Sequence, residues 1–257
     1  MTEPRRDDGS AGDVDYASIG QVYSFYRQPD RRIMAHIDRA LGAARSVLNV
    51  GAGTGSYEPV DRDVTAVEPS ATMRAQRPSH LSIAIDAIAE ALPFDDNQFD
   101  ASMATFTVHQ WTNLERGLAE MRRVARGPVL ILTCDPTLVE RFWLKDYAPE
   151  VLATEARRYP SLHTIQDALG RMASVRDVPI PLDCTDGFNE AYYGRPERLL
   201  DDGARLACSA WSFVSDEVRE EYVDSLRRDL RNGAWNARYG ALRVLPEYDG
   251  SLRLIVG

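Results

Sequence analysis

Apolar residues in the first half of the chain fall in short unbroken runs separated by longer mixed stretches. Such runs, rich in Val, Leu, Ile and Ala, read as strands buried on both faces, at about 46–50, 64–67, 81–85, 101–106 and 128–134. From Ile19 to Leu41 apolar positions recur instead at helical spacing (Ile33, Ile37, Leu41). Pro29 interrupts them, which predicts two helices hinged at Gln28-Pro29-Asp30 and a stop at Gly42. Strands separated by segments long enough for a crossover imply a parallel sheet with helices on both faces.

Past Asp135-Pro136 the pattern loosens. Residues 137–158 and 161–170 read as helices, and Val175 to Leu182 as a strand whose Pro179 and Pro181 suit an edge or a strand end. A helix at about 216–231 follows Ser215, which is placed to cap it, and residues 250–256 read as a last strand. Leu242 to Leu245 reads either as a strand or as an irregular approach to that last one. Residues 1–13 are polar and charged, so a disordered leader over 1–15 is expected, with order beginning near Tyr16. No internal repeat or low-complexity tract is visible.

The first run ends in Gly51-Ala52-Gly53-Thr54-Gly55, and Glu68 closes the second, 17 positions after Gly51. Glycines let a chain leave a buried strand by a tight turn and bring its backbone against a ligand, and an acidic residue at this remove can grip ribose hydroxyls. The third glycine comes one residue early for the dinucleotide fingerprint, which weakens a pyrophosphate reading. A plain strand-to-helix turn is the bland alternative.

At 257 residues and 44% hydrophobic content the chain can bury a full core. A net charge of -9 argues against non-specific affinity for nucleic acid or anionic membrane and tilts the substrate towards a small molecule or peptide. No apolar stretch approaches the roughly 20 residues of a membrane span, and the N-terminal segment lacks a signal-peptide core, so a cytoplasmic location is expected. Cys134, Cys184 and Cys208 lack metal or CxxC spacing and read as reduced thiols. His36, His80 and His163 lack partners at metal spacing.

Five segments occur in order: VGAGTG (50–55), VEPSATM (67–73), AEALPFDDNQFD (89–100), TVHQW (107–111) and EMRRVARGPVLIL (120–132). With them the chain resembles a class I S-adenosylmethionine-dependent methyltransferase, of the broad family that includes ubiquinone/menaquinone-pathway and trans-aconitate methyltransferases. The resemblance covers about residues 16–135. It implies a Rossmann-like, doubly wound α/β fold with seven strands, mostly parallel, the last antiparallel. Residues 16–183 and 251–257 would form the S-adenosylmethionine-binding core. Residues 184–250, longer than a connection needs, would form an acceptor lid; of its aromatics Tyr192, Tyr193, Trp211, Phe213, Trp235 and Tyr239, most are expected to pack.

The resemblance also implies roles. The backbone of Gly51, Ala52 and Gly53 would pass along the donor's methionine part, Glu68 would accept the ribose hydroxyls, and Pro69 and Met73 would flank the adenine. Asp86, Ile88 and Ala89 would cover its other face; a polar residue commonly stands at the position of Ile88, so backbone or Asp86 would hold the exocyclic amine. Backbone groups around Thr105 to Val108 would meet the methionine end. Arg27 resembles an arginine that grips the donor carboxylate, with Tyr16 and Tyr23 closing over it; a surface arginine is the alternative. No metal is required.

His109, just past the fourth strand, is the candidate catalytic base, weighed against a packing or orienting role. Relatives often show two histidines before the tryptophan, and Gln110 takes the second place. The Asp183-Cys184-Thr185-Asp186 cluster either touches the acceptor or serves turns and caps. The favoured activity is methyl transfer to an O, N or C nucleophile of a small molecule or peptide. The alternatives are another reaction on the same fold that uses the donor's charge, or a non-catalytic binding protein. The oligomeric state is not legible.

Overall fold

The computed structural model describes residues 23–170 and 172–257, so the leader and Tyr16 lie outside the described residues. Residues 23–26 are helical, and the chain turns at Pro29 into α1 (Arg31–Leu41). Asp30 caps α1 by accepting from the Arg32 backbone N–H, and Gly42, at φ 55°, ends it. Ile33, Ile37 and Leu41 form its buried stripe, each side chain contributing roughly 1.5–3 kcal/mol by leaving water.

The sheet is assembled from β1 (Ser46–Val50), β2 (Asp63–Val67), β3 (Ala101–Thr105), β4 (Val129–Cys134), β5 (Ser174–Asp177) and β8 (Leu252–Val256), in the order β2-β1-β3-β4-β8-β5. β2, β1, β3 and β4 are parallel, and β8 runs antiparallel to both β4 and β5. Helices α2 (Ala71–Ala75) and α3 (Leu114–Val124) belong to the crossovers. β1 and β4 alternate between the two faces of the sheet. Val47, Leu130 and Leu132 join one hydrophobic cluster, while Leu48, Val129 and Ile131 join the other with Leu118 and Met121 of α3.

Among the described residues the main sheet has six strands, not seven. The run 81–85 stays extended, but only Ile85 makes a bridge, to Val67, and Ile83 is 93% exposed. Apolar content there stood in for strand pairing that does not form. The segment 175–182 divides at Val178-Pro179, since proline cannot donate to a ladder. Its second piece, β6 (Ile180–Pro181), pairs instead with β7 (Glu247–Tyr248).

The expected helix 137–158 is broken into α4 (Pro136–Val139), a 3-10 turn (Trp143–Asp146) and α5 (Pro149–Arg158), whose first position is proline. α6 (Leu162–Leu169) follows. Leu242 to Leu245 is no strand: Gly240–Val244 is a 3-10 helix.

Within 184–250 lie α7 (Asp202–Leu206), α8 (Asp216–Asn232), capped by Ser215, and α9 (Ala234–Tyr239). Phe188, Tyr193, Trp211, Tyr222 and Trp235 of this region share one cluster with Val47, Met103 and Leu132 of the sheet. Phe213 is the exception among its large aromatics, at 42% exposed. No helix of the described residues is long and apolar enough to cross a membrane. All three cysteines are free and buried, and burial pushes the Cys184 thiol up to about 12.

Candidate functional site

β1 has β2 on one side and β3 on the other, so the chain's winding reverses there, and a crevice opens beyond the carboxyl ends of β1 and β3. Gly51 and Gly53 leave β1 at φ +66° and +52°, a region costly for other residues. A Cβ on Gly51 would stand 2.2 Å from Thr107 Oγ1, so the glycine also lets the β1 and β3 exits approach each other.

Glu68 ends β2's run with its side chain buried against this turn. Gly53 N–H donates to one carboxylate oxygen at 2.8 Å and Ser70 N–H to the other at 2.8 Å. Burial raises its pKa, and the two backbone donors oppose that rise.

A cleft of about 790 Å³, counting its open mouth, is lined by Arg27, Gly51, Ala52, Gly53, Glu68, Pro69, Met73, Ile88, Ala89 and Thr105. Those ten sequence-derived candidates come together. Of the other four, none of the three described residues lines it. Asp86 points to solvent with Arg74 Nη2 at 3.5 Å, Val108 is packed into the core, His109 faces the neighbouring chamber, and Tyr16 is outside the described residues. The reason for Asp86 is the missing strand: the extended 81–86 segment turns its acid outward before Ala87 dips into the core.

The cleft also contains Phe106 and Thr107, inside the expected 105–108 stretch, Gln110, and Glu90 and Trp111, to which sequence reasoning gave no role. Glu90 is buried and accepts from Thr112 Oγ1 (3.1 Å) and Asn113 N–H (3.0 Å), holding the β3 exit loop. Phe106 has φ 53°, a rare conformation for a side chain of its size, of the kind that collects at functional sites. Sequence offered no indication of that strain; the apolar run merely continued through it.

Arg27 is tied down by an acid from the far end of the chain. Asp186 accepts from its Nε at 2.5 Å and its Nη2 at 3.3 Å, and also from the Tyr57 hydroxyl at 2.9 Å. The guanidinium lies over the rings of Tyr23 and Phe106, 5.4 and 5.0 Å from their centroids, and Nη1 donates to the Tyr23 hydroxyl. The cluster 183–186 therefore fastens the N-terminal elements: Asp183 pairs with Arg32, and Thr185 N–H donates to Asp30.

A second chamber, about 560 Å³ with its opening, adjoins the cleft and shares Tyr23, Arg27, Phe106 and Gln110 with it. His109 lies there on the 3-10 turn Val108–Gln110, its ring edge-on to Tyr159 at 4.8 Å between centroids. Among the described residues no group of three or more His, Cys, Asp or Glu side chains could hold a metal ion.

Comparison with known proteins agrees with this geometry. The profile of the Methyltransferase domain family matches residues 48–132, the stretch from β1 to β4. A structure from Anabaena variabilis described as "Putative methyltransferase from antibiotic biosynthesis pathway" superimposes with a TM-score of 0.84 at 31% identity, covering 90% of this chain and 98% of that one. The chain belongs to the S-adenosylmethionine-dependent methyltransferases.

An uncharacterised methyltransferase of Mycobacterium tuberculosis is 40% identical over 92 residues, 33% of this chain and 37% of that protein. Demethylmenaquinone methyltransferase of Renibacterium salmoninarum is 36% identical over 120 residues, 44% of this chain and 47% of that protein. The matches thus span less than half the length of these relatives.

The cleft fits the family's donor. It offers an open glycine backbone, a buried carboxylate at the end of β2, apolar surface from Pro69, Met73, Ile88 and Ala89, and a cation at Arg27.

Proposed function

We propose that the protein transfers a methyl group from S-adenosylmethionine to a small-molecule acceptor held in the second chamber. The observation that carries this reading is the pair of adjoining cavities that share Phe106, Arg27, Tyr23 and Gln110 as their common wall. A donor on one side and an acceptor on the other would meet at that wall. When bound, the donor supplies an electrophilic methyl on a positively charged sulfur and a neutral thioether as leaving group.

The chain's own residues do the rest by positioning. Gly51, Ala52 and Gly53 present backbone to the donor, and Glu68 accepts from ribose hydroxyls with lone pairs that Gly53 and Ser70 leave over. Pro69, Met73, Ile88 and Ala89 enclose the adenine. Arg27, its other nitrogens taken by Asp186, offers Nη1 to the carboxylate. Tyr23 and Phe106 exclude water from the junction. Orientation of this kind can supply on the order of 7 to 11 kcal/mol of a barrier, so no metal or triad is needed. The net charge of -9 supports a small acceptor over a nucleic acid.

A crystal structure with S-adenosylhomocysteine tests the arrangement. The reading expects ribose on Glu68 and sulfur at the Phe106 wall. Product bound elsewhere, or with its sulfur turned away from the second chamber, would contradict it.

A further inference from the structure

The second chamber has a polar floor built from distant parts of the chain. Glu155, on α5, faces it beside Tyr159, with Asn189 from the 184–250 region opposite. The Asn189 amide is oriented without ambiguity. Trp211 Nε1–H, which can only donate, lies 3.0 Å from Asn189 Oδ1, so the amide NH2 must face Glu155, where it donates to Oε2 at 2.8 Å. Asn189 and Trp211 are both buried, so this relay is held in place. Glu155 is thereby fixed as an acceptor, presenting carboxylate oxygen to the chamber.

Among the described residues Glu155 makes no ion pair. Arg27 is bonded to Asp186, and Arg158 donates to Ser209 Oγ and lies 4.8 Å from the centroid of the Phe213 ring, so both act on Glu155 through space rather than through a bond. A desolvated carboxylate without a bonded cation is costly, and burial indeed pushes the Glu155 carboxyl upward, against the Asn189 bond, the more distant Arg158 and Arg27 charges and the Tyr159 hydroxyl, which favour its charge. Phe106 and Phe188, with ring centroids 5.4 Å apart, wall the same chamber and offer aromatic faces to a positive group.

We propose that Glu155 is the specificity-determining residue of the acceptor chamber and that the chamber takes a cationic amine, its N–H groups bound by the Glu155 carboxylate. This rests on the reading of the second chamber as the acceptor site. The assignment concerns recognition: the Glu155 oxygens receive hydrogen bonds from the ammonium, and no covalent bond changes. The protein's overall negative charge favours the approach of such a ligand.

The test uses the whole protein saturated with S-adenosylhomocysteine and three probes of matched shape: phenethylamine, 2-phenylethanol and 3-phenylpropionate, titrated by calorimetry or ligand-observed NMR. The wild type should bind the amine at least about tenfold more tightly than the alcohol, the margin of a charge-assisted over a neutral hydrogen bond, and bind the carboxylate most weakly. Glu155→Gln, which keeps the shape and an oxygen for Asn189, should erase the amine preference while product affinity stays within about twofold.

The wild-type comparison stands even if the variant does not fold. An alcohol or carboxylate bound as tightly as the amine, no amine binding at millimolar concentration, or an amine preference intact in Glu155→Gln would overturn the assignment. Failure of the product itself to bind would remove the donor cleft and this assignment together, whereas product binding with no amine preference removes Glu155 alone.

Discussion

Glu68 combines a structural role with the recognition proposed for it. Its carboxylate is buried and held by two backbone N–H groups, and its remaining lone pairs face the cleft. Two hydrogen bonds from ribose to a charged acceptor, each worth roughly 1.5–3 kcal/mol, mean that Glu68→Ala should weaken S-adenosylhomocysteine binding by at least about 100-fold in a folded protein. An unchanged dissociation constant would take Glu68 out of the site. His109 sits on the other side of the dividing wall. His109→Ala should therefore leave product affinity within about twofold, read by the same titration.

Asp186 belongs to neither cavity's lining yet fixes Arg27, which belongs to both. Asp186→Ala strands a guanidinium whose side chain is only 10% exposed, at a cost of about 3–5 kcal/mol. A melting temperature lower by roughly 10 °C follows for a chain of this size, together with weaker donor binding. A variant that melts like the wild type would show that the pair contributes nothing.

At the scale of elements, the turn after β1, the acid after β2 and the strand before the Phe106 wall were legible because each follows from local pattern: apolar run, then glycine or acid. What escaped depended on partners far along the chain. The run 81–85 has strand-like content and lies beside the edge strand β2, but it pairs there only through Ile85, so the seventh strand is reduced to one bridge and Asp86 turns outward. Asp186 looked like a turn residue because its partner Arg27 lies 159 positions away. The Glu155–Asn189–Trp211 relay joins α5 to the 3-10 turns of 184–250, and no spacing rule could have brought those three together.

The 3-10 turn Asn189–Tyr192 is fastened to the start of β8 in the same manner. Ser251 N–H and Oγ–H both donate to the Glu190 carboxylate. Burial lifts the Glu190 pKa to about 7, with Glu155 adding to the rise and Ser251 and Arg253 opposing it. A raised acid keeps a proton in the folded state that the unfolded chain has already lost. Stability should accordingly fall as pH rises from about 4.5 to about 7, by on the order of 3 kcal/mol, and level off above. Urea unfolding of Glu190→Gln should lack that segment of slope. The same slope in the variant would assign it to another group.

Taken as a whole, the molecule has the sheet's one face and the 184–250 region in a single hydrophobic cluster that runs from Val47 and Leu132 to Trp211 and Trp235. Shared packing of that kind predicts one cooperative unfolding transition, with tryptophan fluorescence and far-ultraviolet circular dichroism coinciding. Two separated transitions would mean that the region melts on its own.

The same arrangement places residues of the 184–250 region at the second chamber while the glycine turn, Glu68 and the apolar patch stay by the sheet. That division makes donor recognition the firmest consequence of the fold, and calorimetric titration of the wild-type protein with S-adenosylmethionine, S-adenosylhomocysteine and NAD examines it directly. Saturable one-site binding of both donor forms, with no heat from NAD, is the predicted result. Binding of NAD with neither donor form bound would contradict the account at its centre.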